Sequence, residues 1–448
     1  MRNERRGEEV PSAEAGAHAE ARAPREEASA LSADVCVAGG GPGGRALALA
    51  LTRLGCDVVL LEKRDPARGA GPAFRGESVS PDGVRLLDLL GVGERVRQAA
   101  HRVDRLEIED AGHRVLDVRF ADFPYRYRHP VELAQRTLLA ALAEQTGRQL
   151  GGCTVLEPAT VTGLLVDGPA VTGVRANTPT GPVRVTAALT VGADGRHSAV
   201  RRLSGLAEHA RHTPLERDVV WLKLPFPADW DRRAYRVRIA GDSHGLFLPS
   251  TDGTLRVGLN IPKGGLRTLR SGGLGGLHAR LDRLAPQAGA AARASLHSWS
   301  DTALLDIFTA EVPRWSAPGV VLIGDAAHTL SPVLGQGVNH ALADAVELAP
   351  LVAEALGRDR RAHSRALLAA LQLFQRRREP HVRRSRALQL RQERMFTLTA
   401  PAATALRRTV YRALDASPAL RRRVLAPAYF PGHTPLRQAA RAQEVTLV

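Results

Sequence analysis

Lysine is almost missing from this chain. Lys63, Lys223 and Lys263 are the only three in 448 residues, so a formal net charge of +16 rests almost wholly on arginine. The chain is equally heavy in alanine and glycine, and the arginine load reads as the compositional habit of a GC-rich genome rather than a nucleic-acid surface. The basic run FQRRREPHVRRSRALQLRQER is spaced as a solvated helix face. It has no interleaved aromatics on which single-stranded bases would stack, so no nucleic-acid partner is expected. Cysteine is scarce as well. Cys36, Cys56 and Cys153 lie far apart with no C-x-x-C pairing, which excludes a disulfide framework and a structural zinc site and suits a reducing cytoplasm. Aromatic residues make up 4% of the chain against 44% hydrophobic, so the cores are aliphatic. No apolar run reaches the ~18 residues of a transmembrane helix, and the first thirty residues contain no apolar signal-peptide core. Rich in Ala, Glu and Arg, residues 1–32 are expected to form a disordered leader.

What is present begins at ADVCVAGGGPGGRALALALTRLGCDVVLLEKRD. DVCVAG reads as a buried strand, RALALALTRLG as a helix ending at Gly55, and DVVLLE as a second strand. Together they make a β-α-β unit of about thirty residues. Gly39, Gly41 and Gly44 form G-x-G-x-x-G at its turn: the first for the tight turn, the second for close approach to a pyrophosphate, the third for helix–strand packing. The helix N-terminus faces the diphosphate with free N–H groups. Glu62, at the tip of the second strand, is placed to accept from a ribose diol, with Lys63 beside it in the same site. This unit binds a dinucleotide; the spacing leaves NAD and FAD both open.

The rest of the chain implies a discontinuous α/β architecture. The dinucleotide-binding domain occupies 33–210, with a hairpin inserted at about 103–128, and resumes at 316–395. Between them, 211–315 carries short alternating strands such as DVVWLKLPF and LRVGLNIP, a mostly antiparallel sheet domain. A helical tail spans 396–448.

Two further motifs, VGADGRHSAVRRLSG and GDAAHTLSPVLGQGVN, follow the glycine loop in order. With it, they make the chain resemble the group A flavoprotein monooxygenases, the aromatic hydroxylases of the para-hydroxybenzoate hydroxylase fold, related to the ubiquinone-pathway hydroxylases. The resemblance covers roughly residues 33–390. It implies a Rossmann-type FAD-binding domain with an inserted substrate sheet, FAD as cofactor, NADPH or NADH as electron donor, and O2 as co-substrate. It implies that Gly192, Asp194, Gly195 and Arg201 lie near FAD and the transient nicotinamide. Asp325 then reaches the ribityl chain with Gly324 giving it room, and Pro332 lies near the face where oxygen reacts. Backbone N–H groups of Gly335, Gly337, Val338 and Asn339 stabilise negative charge on reduced flavin. Arg75 falls by the diphosphate or incoming nicotinamide, Arg136 (with Gln135) by the FAD phosphate or ribityl group, and Val161 by the adenine.

The resemblance also implies the reaction: NAD(P)H reduces the flavin, O2 adds at C4a, and the hydroperoxide hydroxylates or epoxidises a small organic molecule. The cofactor carries that chemistry, so no particular catalytic side chain is required and none is assigned. Trp221, Lys223, His244 and Phe247 are the pocket candidates from the inserted sheet, and Phe120, Phe123, Tyr125 and Tyr127 form an aromatic patch for pocket or inter-domain packing. His328 is read as packing near the flavin, since no partner His or Cys has ligand spacing and no metal is expected. A flavin-dependent isoprenoid reductase shares the fold and is the leading alternative. A flavin-dependent halogenase is disfavoured, because Trp221, Trp230, Trp299 and Trp315 never form a Trp-x-Trp-x-Ile-Pro signature.

Overall fold

A computed structural model describes residues 29–65, 78–149, 152–332, 335–357 and 363–432. Arg75, the leader up to residue 28 and the segment HTPLRQAARAQ near the end lie outside the described residues.

The first strand, β1 (Ser29–Ala38), starts earlier than expected, so residues 29–32, assigned above to the leader, belong to the sheet. Their pairing explains why: Ser29 to Ser32 run beside Val183 to Thr186. Helix α1 (Pro42–Arg53) follows the glycine turn and leads to β2 (Val58–Leu61). Parallel to β1 on its other side lies β3 (Gly181–Gly192), and beyond it β4 (Val320–Leu322). β2 pairs in parallel with Cys153–Leu156. These central strands are buried on both faces, which is why VCVA and VVLL read as continuous apolar runs. Two antiparallel strands, Thr160–Asp167 and Ala170–Thr178, extend the sheet from β3.

The second sheet has seven strands, in the order Thr302–Leu305, Arg217–Pro225, Thr254–Pro262, Ser243–Pro249, Ala234–Ala240, Arg105–Asp110 and His113–Arg119. The last two are the hairpin that was assigned above to the dinucleotide domain. They enlarge the substrate sheet instead, through parallel pairing of Arg105–Asp110 with Ala234–Ala240. Alternation sets the two faces of the sheet. Along Arg217–Pro225, Val220, Leu222 and Leu224 pack against helices Leu266–Ser271, Gly273–Leu284 and Pro286–Ser295. Val219 and Trp221 face the other way. Those three helices were not among the expected elements: in the second, the four glycines of GGLGGL mask the helical spacing of Leu274, Leu277 and Leu281.

Among the described residues, four α-helices follow β4: α2 (Gly337–Leu356), α3 (His363–Thr397), α4 (Pro401–Ala416) and α5 (Pro418–Tyr429). The basic run noted above forms much of α3, but not all of it is solvated. Arg378 is buried, and Arg386 pairs with Glu311 while donating to the Ala310 carbonyl. α4 is fastened to the hairpin by Arg407, whose Nε and Nη2 donate to Asp110 Oδ2 at 3.0 and 2.8 Å with both side chains 1% exposed. α5 adds Tyr429, edge-on to Phe120, and Phe430 follows it against Phe123 and Tyr125.

Candidate active site

The glycine loop is built by close approach. Gly39 has φ +113°, and a Cβ there would lie 2.4 Å from the Ala193 carbonyl oxygen. A Cβ on Gly44 would lie 1.9 Å from the Gly39 carbonyl oxygen, whereas one on Gly41 would meet nothing within 4 Å. So Gly39 and Gly44 let strand and helix touch, and Gly41 faces open space. α1 begins there with no side-chain cap, leaving its first N–H groups for an anion. Glu62 is tied to the loop: Oε2 accepts from Gly40 N–H at 2.6 Å and Oε1 from Arg64 N–H at 2.7 Å.

At the end of β3, Asp194 Oδ2 caps the helix Ala199–Leu203 by accepting from Ala199 and Val200 N–H. Its buried Oδ1 has no hydrogen-bond partner among the described residues. Arg201 turns away, donating to the carbonyls of Ala326 and Arg196, and Gly192 serves packing against Leu322.

The turn after β4 explains the histidine of GDAAH. Gly324, at φ +57°, donates its N–H to Asp344 Oδ2 at 2.8 Å. The same oxygen is 2.7 Å from His328 Nε2, and Arg378 Nε donates to the other oxygen at 2.8 Å. Burial alone would raise the Asp344 pKa, but the charges of His328 and Arg378 outweigh it and hold the carboxyl well below its usual range. His328 is thus a buried partner of Asp344. Among the described residues no cluster of three or more His, Cys, Asp or Glu could hold a metal.

One cavity of about 880 Å³ joins these parts. Gly39, Gly41, Glu62, Lys63, Val161, Asp194, Gly195, Gly324, Asp325, Pro332, Gly335, Gly337, Val338 and Asn339 all line it. α2 starts at its wall, again without a side-chain cap, while the Asn339 side chain accepts from Ser80 N–H and donates to the Gly335 carbonyl. Arg136 does not reach the cavity. It is exposed on its helix, and Gln135, one residue earlier, lines the cavity instead. Gly44 lies behind the wall.

Of the four candidates from the inserted sheet only Trp221 lines the cavity. Lys223 pairs with Asp252, Phe247 faces the helix layer, and His244 is buried beside Phe396. Phe120, Phe123 and Tyr125 pack against the C-terminal aromatics, and Tyr127 packs against the main core; none of the four lines the cavity. The far chamber is walled by residues that the sequence did not flag, among them Tyr235, Arg256, Gln392, Phe396, Leu414 and Tyr429. They come from separate segments, and no local pattern unites them.

Burial pushes the His244 pKa down to about 3, with the charges of Arg217 and Arg407 adding to it. The unfolded chain takes up this proton below about pH 6.5, whereas the folded protein resists until about pH 3. Stability from this group is therefore present above pH 6.5 and lost as pH falls, by at most about 1.4 kcal/mol per pH unit. Urea unfolding of His244→Leu across this window should show a slope reduced by about one proton; an unchanged slope would contradict the assignment.

A family profile described as FAD binding domain matches residues 32–385. The 6-methylpretetramide 4-monooxygenase of Streptomyces rimosus is 35% identical over 399 residues, covering 89% of this chain and 92% of that protein. The chain belongs to the FAD-binding monooxygenases. This member is thus an FAD-dependent oxidoreductase. Another relative, the 3-demethoxyubiquinol 3-hydroxylase of Escherichia coli, is 26% identical, covering 68% of this chain and 76% of that protein. In fold the monooxygenase resembles PqsL, a probable FAD-dependent monooxygenase from Pseudomonas aeruginosa, with TM-score 0.69 and 24% identity over 85% of this chain and 98% of that one. The residues present suit FAD: two uncapped helix starts, an open glycine and an orphaned carboxylate oxygen surround one end of the cavity. No helix among the described residues is long and apolar enough to cross a membrane.

Proposed function

We propose that the protein hydroxylates a polycyclic phenolic substrate of polyketide type, using FAD, O2 and NADPH or NADH, in the cytoplasm. The observation that carries this reading is the continuity of the cavity, from Gly39 and Glu62 at one end past Pro332, Gly335 and Asn339 to a chamber walled by Leu106, Ile108, Leu246 and Tyr429. The 35% identity to an enzyme named for oxygenating a pretetramide supports the substrate class.

When bound and reduced, FAD activates O2 and supplies one oxygen atom to an electron-rich carbon. The protein's part is to bind, orient and keep water out. The uncapped start of α1 and Gly41 would hold the diphosphate, Glu62 and Lys63 the ribose, and Val161 the adenine end. Asp194 and Asp325 would take the ribityl hydroxyls, and the start of α2 the electron-rich edge of the ring system. The mainly apolar far chamber would keep water from the reacting carbon.

The test is the visible spectrum of purified protein, then oxygen uptake with NADPH or NADH and a panel of polycyclic phenols. Flavin absorbance with a product heavier by one oxygen atom is the expected result. NADPH oxidation that reduces a double bond without oxygen incorporation would replace this reading with an isoprenoid-type reductase.

A further inference from the structure

Where the cofactor end of the cavity meets the far chamber, four side chains from four segments converge. Ser78 Oγ donates to Glu132 Oε1 at 2.5 Å, and the Tyr235 hydroxyl donates to the same oxygen at 2.7 Å. Arg256 Nη2 donates to Glu132 Oε2 at 2.8 Å and to Ser78 Oγ at 3.0 Å. Glu132 is wholly buried, and the guanidinium of Arg256 is what makes a carboxylate tenable there. Ser78, Tyr235 and Arg256 all line the cavity. Ser78 also abuts the start of α2, since a Cβ on Gly335 would lie 3.3 Å from the Ser78 Cβ. This is therefore a polar station between the proposed flavin site and a mainly apolar chamber whose other polar side chains include Gln392, Tyr411 and Tyr429.

We propose that Tyr235 accepts a hydrogen bond from a hydroxyl of the substrate and so selects a phenol or enol over its ether. The proposal rests on the reading of the far chamber as the substrate end of the monooxygenase. A tyrosine has one O–H, and that of Tyr235 is committed to Glu132, which as a carboxylate can only accept. What the Tyr235 oxygen has left to offer is lone pairs. Burial pushes its phenol well above the ordinary value and the Glu132 charge adds to this, so the hydroxyl keeps its proton and its direction. The anionic partner also polarises the tyrosine oxygen, making it a better acceptor. A substrate hydroxyl beside Leu106, Ile108, Leu246 and Leu248 goes unpaired; of the chamber's uncharged polar side chains, Tyr235 is the one tied to the station that abuts the proposed flavin site. An ether oxygen has no proton to give, so the ether gains nothing from Tyr235.

The experiment titrates the flavin-loaded full chain with 1-naphthol and with 1-methoxynaphthalene, following tryptophan fluorescence. The expected result is binding of the naphthol at least ~10-fold tighter than its methyl ether. Tyr235→Phe should erase that preference by weakening naphthol alone, with ether binding and the flavin spectrum unchanged. Ser78→Ala, which keeps the Tyr235 oxygen, should retain it. Undiminished preference in Tyr235→Phe overturns the proposal. Should that variant not accumulate, the unaltered protein decides through 1-naphthylamine, another donor: binding no tighter than the ether overturns the proposal, and binding like the naphthol supports it. Oxygen uptake is measured in parallel on the unaltered protein. A donor preference without oxygen incorporation into any substrate would remove the monooxygenase reading while keeping the Tyr235 assignment.

Discussion

Gly44→Ala is expected to purify without flavin and to bind added FAD at least ~100-fold more weakly than the unaltered protein. The new methyl would sit 1.9 Å from the Gly39 carbonyl oxygen and 3.3 Å from the Ala193 Cβ. The loop cannot retreat, because Gly39 is itself pressed against the Ala193 carbonyl at the end of β3. α1 must move instead, taking its uncapped N–H groups with it, at a strain cost of about 1–3 kcal/mol. Gly41→Ala provides the contrast. Its φ of −71° suits alanine and its Cβ meets no protein atom within 4 Å. Stability should therefore hold while FAD binding weakens, because the methyl enters the space that the cofactor needs. Fluorescence titration of apoprotein with FAD, beside thermal melts, reads both. Stoichiometric flavin in Gly44→Ala at an unchanged melting temperature would sink the account of this loop.

Asp344→Asn should cost about 3–5 kcal/mol, lowering the melting temperature by roughly 3–5 °C. The substitution leaves Arg378 in the interior without its counter-charge, and His328 and the Gly324 N–H lose the oxygen that they share. Since the native pKa of Asp344 is depressed, its contribution is present above the unfolded carboxyl value of about 3.9 and is lost as pH falls through the native value. Stability curves of the two proteins should therefore lie far apart at pH 7 and converge toward strong acid. A loss under about 1 kcal/mol at pH 7 would show that the pair is not what holds the Gly324 turn. Flavin release followed during the melt tells whether that turn opens before the rest of the molecule.

What the sequence disclosed was local. The strand, turn and helix around Gly39 to Gly44 lie within a few residues of one another, so their geometry follows from spacing, whereas the roles of Gly324, Asp325, Pro332 and Asn339 were legible only through the family resemblance. The hairpin at 105–119 was recognisable as a hairpin, but its sheet was not, because its partner Ala234–Ala240 is more than a hundred residues away. Arg136 was misplaced for a reason of one residue: helical rotation carries it to solvent and brings Gln135 to the cavity. Lys223 and His244 have the right chemistry for a base, but strand alternation and a nearby Asp252 turn them to other uses. Tyr235, Glu132, Arg256 and Ser78 were invisible for the opposite reason. Each is unremarkable in its own segment, and only tertiary folding joins them. The role of His328 needed Asp344, sixteen residues on, and Arg378 from α3.

The bond between Arg407 and Asp110 spans 297 residues of chain. At about 5–20 residues per second, a ribosome makes the arginine some 15–60 s after its partner. For that interval the aromatic face of Phe120, Phe123 and Tyr125 waits without Tyr429 and Phe430, and the far wall of the cavity does not yet exist. The nascent protein thus carries a sticky, half-built chamber through most of its synthesis, and the yield of active enzyme will depend on how well the cell shields that face until the last helices arrive.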